Sequence, residues 1–320
     1  MALQDPKYPV PTTVSPEAQA FLANPIDMSG IGGPSPQTDE EWYALIDGVN
    51  SQFLPIVEAM IDSAPVTIEK REIAGVTVRI ITPDNFPQDR QDKVLINLHG
   101  GGYAIMGGEL SIMEGISIAA SGGFKIICVD YRMPPKHPHP AAIDDGIAVY
   151  KAVLEHHKAS DIGIFGASAG GGLTAAVALA ARDQGLPMPA AVVLNTPWSD
   201  LTKNGDSYFT NAGVDPVLTN YDGGLTGMAR IYAGDEDPKH PLLSPVYADF
   251  SKGFPPAMLV TGTRDLLLSC TVRLHRALRS AGIDADLHVF EAMWHGFNAM
   301  PEGREADAEA VRFFEKHLGL

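Results

Sequence analysis

Six short, nearly unbroken apolar runs punctuate the chain: Val94–Leu98, Ile126–Val129, Ile162–Phe165, Ala191–Leu194, Met258–Thr261 and Leu287–Phe290. Stretches of helical periodicity separate them. Strands that are apolar throughout are buried on both faces, which is the state of parallel strands covered by helices on each side. The predicted class is therefore α/β with a mostly parallel central sheet. Val66 to Thr82 instead alternates around Ala74-Gly75, which predicts a hairpin. Upstream, Trp42, Leu45, Ile46, Val49, Phe53, Ile56, Val57, Met60 and Ile61 recur at helical spacing, opened by Thr38 and Glu41 in the manner of a capping box. Pro55 is expected to kink that helix without ending it. Residues 1–37, rich in Pro, Gly and Ser, show little periodicity and predict an arm wrapped on another part of the protein. The irregular stretch from Trp198 to about Pro241 predicts an insertion lying over the sheet.

Composition narrows the partners. A net charge of −16 disfavours nucleic acid and anionic membrane surfaces, both of which need clustered Lys and Arg. No apolar run approaches the roughly 18 residues of a membrane span, and no leader pattern opens the chain, so a cytoplasmic location is expected. Two cysteines give no disulfide framework. Cys128 lies inside a strand run and is expected to be a buried thiol.

Candidate chemistry begins at Gly166-Ala167-Ser168-Ala169-Gly170, a G-x-S-x-G pentapeptide between a strand run and a small-residue helical stretch. That context turns the pentapeptide from a tight turn into a nucleophile elbow, in which small neighbours let strand and helix pass closely while the serine projects above the sheet. A second cluster, His99-Gly100-Gly101-Gly102-Tyr103, follows the first central strand. It lacks the Gly-Lys-Ser/Thr ending of a phosphate loop. Bare backbone N–H groups there can hold the oxygen of a tetrahedral intermediate.

A serine hydroxyl needs a base, and the base needs a carboxylate to orient it, in the chain order Ser, Asp/Glu, His. His156 and His157 precede the serine, His275 and His317 fall in helical patterns, His288 lies in a strand run and His240 in the insertion. His295 alone occupies a loop after the last strand and is the predicted base. Asp265, in the loop after Met258–Thr261, is the favoured carboxylate, and Glu291 is its rival. His137 and His139 alternate with prolines and predict a rigid turn in preference to a metal site. Asp144 and Asp145 are read as favouring the N-terminal dipole of a helix.

With His99-Gly100-Gly101-Gly102, Asp130-Tyr131-Arg132, His137-Pro138, Pro140-Ala141-Ala142, Asp144-Asp145, the elbow with Gly171, Leu243-Ser244-Pro245, Asp265 and His295-Gly296-Phe297 in order, the chain resembles the hormone-sensitive-lipase-like (bacterial family IV) esterases of the α/β-hydrolase fold. The resemblance covers most of residues 94–300. It implies a core of about eight strands, residues 63–197 and 242–320, under a helical cap drawn from residues 1–62 and 198–241. It also implies oxyanion donors at Gly101, Gly102 and Ala169, with Asp265 as the triad carboxylate. Two departures stand out. Ala167 occupies the place of the usual Asp or Thr before the nucleophile, so a bond to nearby backbone is missing. Pro134-Pro135-Lys136 replaces Ala-Pro-Glu, removing an ion pair in its usual form. The run from Asp200 through Asp215-Pro216-Val217-Leu218 is similar to a branch that includes lactone-hydrolysing members.

The expectation is a serine carboxylesterase for small esters of short to medium acyl chains, with no cofactor or metal. A homodimer is compatible with it. Two alternatives stand beside it, a lactonase or amidase on the same triad and a non-catalytic receptor for small ligands. The presence of His295 argues against the receptor.

Overall fold

The computed structural model describes residues 8–25 and 33–320. Eight strands form one sheet: β1 (Val66–Ile73), β2 (Val76–Pro83), β3 (Val94–Leu98), β4 (Lys125–Val129), β5 (Ile162–Ala167), β6 (Ala191–Asn195), β7 (Ala257–Gly262) and β8 (Ala285–Phe290). Their order is β1-β2-β4-β3-β5-β6-β7-β8. The pairs β1–β2 and β2–β4 are antiparallel and the others parallel, so all six apolar runs became parallel strands. The hairpin turns at Ala74 (φ 51°) and Gly75 (φ 80°), two left-handed residues whose twist matches that of the flanking strands.

Nine α-helices are defined among the described residues: α1 (Pro16–Ala23), α2 (Asp39–Ser63), α3 (Met113–Gly122), α4 (Ala141–Leu154), α5 (Ala169–Asp183), α6 (Ser207–Thr210), α7 (Gly224–Ala233), α8 (Leu268–Ser280) and α9 (Pro301–Leu318). Successive strand residues face opposite sides, and the core divides accordingly. Val94, Ile96 and Leu98 pack with residues of α4 and α5, whereas Leu95 packs with residues of α3 and α9. Phe314 of α9 meets Phe165 edge-on at 6.3 Å on that second face.

Thr38 caps α2, its hydroxyl accepting from the Glu41 N–H, and the Glu41 carboxylate accepts from Gln37 N–H, one residue before the position a strict capping box would use. The helix runs through Pro55 to Ser63. The described part of the arm carries a helix that its weak periodicity does not predict. Ser15 and Pro16 start α1, a cap followed by a proline whose missing N–H is not needed at that position. Phe21 stacks on Trp294 at 4.4 Å, Arg264 donates to the Pro9 carbonyl, and Ser15 donates to Glu302. The arm thus wraps the chain's own loops, those after β7 and β8. Its residues 1–7 and 26–32 lie outside the described ones. No helix among the described residues is long and apolar enough to cross a membrane.

The chain leaves β3 toward β4 on one side, while β5 lies on the other. In open α/β sheets such a reversal leaves a crevice at the carboxyl ends of the strands. Both glycine-rich motifs open onto it. Strand and helix approach so closely there that a Cβ on Gly166 would lie 2.2 Å from the Leu98 carbonyl oxygen, and one on Gly170 only 1.9 Å. Gly170→Ala is expected to cost roughly 1–3 kcal/mol or more, because backbone atoms cannot yield as a side chain can. An unfolding midpoint equal to that of the unaltered protein would contradict this close approach.

Candidate active site

Ser168 stands between β5 and α5 at φ 56°, ψ −123°, a conformation costing a non-glycine residue of the order of 1–3 kcal/mol. The turn is held from the next strand: Ser168 N–H donates to Asn195 O at 2.9 Å, and Ser168 O accepts from Trp198 N–H at 2.8 Å and Gly172 N–H at 3.1 Å. Bonding on both sides fixes the side chain's direction.

Two further loops meet it. Thr263 N–H donates to Phe290 O, Arg264 N–H to Met293 O and Ala292 N–H to Thr263 Oγ1, stitching the loop after β7 to the loop after β8. Gly262 leaves room for this, since a Cβ there would lie 2.1 Å from Met293 O. The stitched loops bring Asp265 Oδ1 to 3.1 Å from His295 Nδ1, and His295 Nε2 to 2.8 Å from Ser168 Oγ. Asp265 is fully buried, accepting also from Thr261 Oγ1 and Leu267 N–H at 2.8 Å each. Its carboxylate is therefore satisfied and fixed before it meets the imidazole. The rival Glu291 accepts from Thr13 in the arm and lies apart from this constellation.

A carboxylate that the sequence marked only within a resemblance to a family branch, with no role at the site, completes the surroundings. Asp215, in the irregular stretch between β6 and β7, is buried. Its Oδ2 accepts from Leu266 N–H at 2.8 Å and from His295 N–H at 3.2 Å, while Oδ1 accepts from Val217 and Leu218 N–H. It thus ties the loops of Asp265 and His295 to one turn. Burial, and then the neighbouring Asp265 charge, raise its carboxyl to about 6. Its sequence signal was that branch resemblance, which says nothing about the loops it would reach.

Burial acting alone would lower the basicity of His295. The Asp265 charge and hydrogen bond, with the Asp215 charge, outweigh it and hold the imidazole above its ordinary value.

Across the crevice, Gly101 (φ 104°), Gly102 (φ 58°) and Tyr103 (φ 64°) coil the loop after β3 in left-handed backbone. Ile105 N–H closes it onto Gly101 O at 2.9 Å. Among the described residues, no acceptor is paired with the N–H of Gly101, Gly102 or Ala169. The loop's base is clamped from β4. Tyr131 stacks on His99 at 4.2 Å and donates its hydroxyl to His99 O, and burial lowers the His99 imidazole to about 4.

Other sequence readings resolve differently. Asp145 does more than favour a helix dipole. It is buried and takes the backbone N–H and guanidinium of Arg132, a charge-assisted fork. Arg132 is one residue past Tyr131, so this pair anchors the clamp on His99. Asp144 is left in the first turn of α4 as expected. His139 N–H donates to Tyr232 O, and the His139 and His240 rings lie 5.9 Å apart. Among the described residues, no group of three or more His, Cys, Asp or Glu is placed to hold a metal ion. Cys128 is buried in β4, and Cys270 is buried too.

Residues 95–299, well over half of the chain, match the α/β-hydrolase fold family. The chain belongs to that family. It is 34% identical over 250 residues to an acetyl-hydrolase of Streptomyces hygroscopicus, covering 76% of this chain and 83% of that one. The crystal structure of esterase E25 superposes with a TM-score of 0.92 at 37% identity, over 99% of this chain and 98% of the other. An esterase of the bacterial hormone-sensitive lipase family gives 0.82 at 31% identity, over 95% and 99%. This α/β-hydrolase is a hormone-sensitive-lipase-like carboxylic ester hydrolase.

The charges around His295 make a direct prediction. Asp215→Asn removes a negative charge that favours the imidazolium, so the His295 pKa falls. Histidine ring resonances followed by NMR against pH should show a lower midpoint in the variant. An unchanged or higher midpoint would show that Asp215 does not act on the imidazole.

Proposed function

We propose that Ser168, His295 and Asp265 form the catalytic triad of this esterase and that Gly101, Gly102 and Ala169 supply its oxyanion donors. The observation that carries the reading is the continuous hydrogen-bonded line from Asp265 through His295 to Ser168. Ser168 Oγ attacks the ester carbonyl as His295 Nε2 takes its proton. Asp265 holds the tautomer with the proton on Nδ1 and stabilises the imidazolium that forms. The carbonyl oxygen, now negative, receives the free N–H groups, an interaction whose loss typically costs about 10²–10³ in rate per donor. His295 then gives its proton to the leaving alcohol. Water, deprotonated by the same nitrogen, attacks the acyl-enzyme, and the acid leaves as Ser168 regains its proton.

The substrates proposed are small esters of short to medium acyl chains, and residues 1–62 and 198–241 are proposed as the cap that encloses them. Several contacts support this. Met106 N–H donates to Asn50 of α2, Gly227 of α7 lies against Ser35 and Trp42, and the Met228 sulfur lies 2.3 Å from where a Cβ on Gly102 would be. Both segments thus reach the loop after β3, the first through Asn50 and the second through the Met228 side chain. A cytoplasmic location is also proposed, in keeping with two free thiols.

Hydrolysis of p-nitrophenyl esters of graded acyl length tests the reading. The unaltered protein should turn over the short esters, and Ser168→Ala should lose at least about 10⁴-fold in kcat. A variant that keeps its activity would remove Ser168 from the mechanism. Lactones and anilides run beside the esters decide which leaving groups the triad accepts. Trimming the wall with Met228→Ala should raise kcat/KM for octanoyl relative to acetyl ester by about tenfold, the worth of one or two methylenes in a pocket. An unchanged ratio would place the acyl chain elsewhere.

A further inference from the structure

Ala167 raises a question the catalytic line does not answer. With no side-chain acceptor before the nucleophile, some other group must fix the elbow relative to the oxyanion loop. Both segments leave neighbouring strands, β5 and β3, and catalysis requires Ser168 Oγ and the N–H donors to converge on one carbonyl. A misplacement of about 1 Å can cost of the order of 10²-fold in rate.

One carboxylate reaches both. Glu114, in the first turn of α3, accepts from Gly100 N–H with Oε1 at 2.8 Å. Its other oxygen, Oε2, accepts from Ala167 N–H at 2.9 Å and from the Asn97 side-chain amide of β3 at 3.1 Å. Gly100 immediately precedes the donor glycines, and Ala167 immediately precedes the nucleophile. The fit is close, since a Cβ on Gly100 would lie 3.2 Å from Oε1 and 2.9 Å from Ala167 O. Beneath the carboxylate lies a cavity of about 20 Å³, also lined by Ala167, Asn195, Asn298 and Asp307. Burial pushes the Glu114 carboxyl up to about 7, against the pull of its three hydrogen bonds.

We propose that Glu114 is the positioning residue that holds the oxyanion loop and the nucleophile turn in register, one carboxylate oxygen on each. The inference rests on the reading of Ser168 as nucleophile and of Gly101, Gly102 and Ala169 as donors. Glu114 touches no reacting atom; it sets the distance between the groups that do.

Glu114→Gln separates this role from simple folding. The amide keeps one oxygen acceptor but turns an NH₂ toward either Gly100 or Ala167, so one segment loses its anchor. The expected result is a fall in kcat of about 10²-fold with KM changed by no more than about threefold. A trifluoromethyl ketone supplies the second readout. Its carbonyl carbon bonds to Ser168 Oγ, the serine proton passes to His295, and the new oxyanion sits among the N–H donors. Its Ki should rise by a factor similar to the fall in kcat/KM. Asp307→Asn, which changes the same cavity without touching either segment, should keep kcat within about twofold.

Unchanged kcat in Glu114→Gln overturns the proposal. So does a loss of kcat with unaltered ketone affinity, or an equal loss in Asp307→Asn, since either makes the effect one of general packing. If Glu114→Gln does not fold, Glu114→Asp, which keeps the charge but draws the oxygens back by one methylene, is read by the same criteria. Ser168→Ala measured alongside keeps the two readings apart. An active Ser168→Ala removes the triad itself, whereas an inactive Ser168→Ala beside a fully active Glu114→Gln removes only the role of Glu114.

Discussion

Ser168 holds a left-handed backbone conformation because the chain on both sides of it has nowhere else to go. Its N–H is bonded to the end of β6 and its C=O to the segment beyond, and Gly166 and Gly170 bring β5 and α5 within carbonyl contact of Leu98. The unfavourable φ is thus over-determined by close packing and hydrogen bonds, the condition under which such strain persists. The rest of the site depends on this turn. It points the hydroxyl toward the carboxyl edge of the sheet, where the loops after β3, β7 and β8 also end. It also leaves the first N–H of α5 without an intrahelical partner.

Electrostatics complement that geometry. In the proposed mechanism, taking a proton from serine creates a cation on His295 inside a buried site, which low polarity opposes. Two carboxylates offset the cost from different directions, Asp265 through Nδ1 and Asp215 through the backbone and its nearby charge. Both are bonded to backbone N–H groups of the loops they serve. Their orientation is therefore fixed before any substrate arrives, which is the condition for charge stabilisation without reorganisation.

Much of this was legible in the sequence because the signals are local. A strand buried on both faces must be apolar throughout, so six runs sufficed to mark the parallel sheet. The two-residue turn at Ala74-Gly75 and the glycines about Ser168 encode backbone geometry directly, and the histidines could be sorted by the elements holding them. What escaped depends on contacts distant along the chain. The helix α1 is short and packs its few apolar residues, such as Leu22, against other elements, leaving little periodicity to detect. Asp215 meets the loops of Asp265 and His295 from 50 and 80 residues away, subtracting the sequence numbers. Asp145 looked like a helix-dipole residue because nothing in its own turn announces Arg132. Glu114 drew no reading from the sequence, because only the pairing of β3 with β5 brings the two N–H groups it accepts from together.

The central claim is that Ser168 forms the covalent intermediate, and trapping that bond tests it most directly. Diethyl p-nitrophenyl phosphate phosphorylates an activated serine with release of nitrophenol, and the adduct persists. Mass spectrometry of the intact protein and of its peptides should find one diethylphosphoryl group per chain, on Ser168. An adduct on another residue, or none under conditions where esters are hydrolysed, would contradict the account.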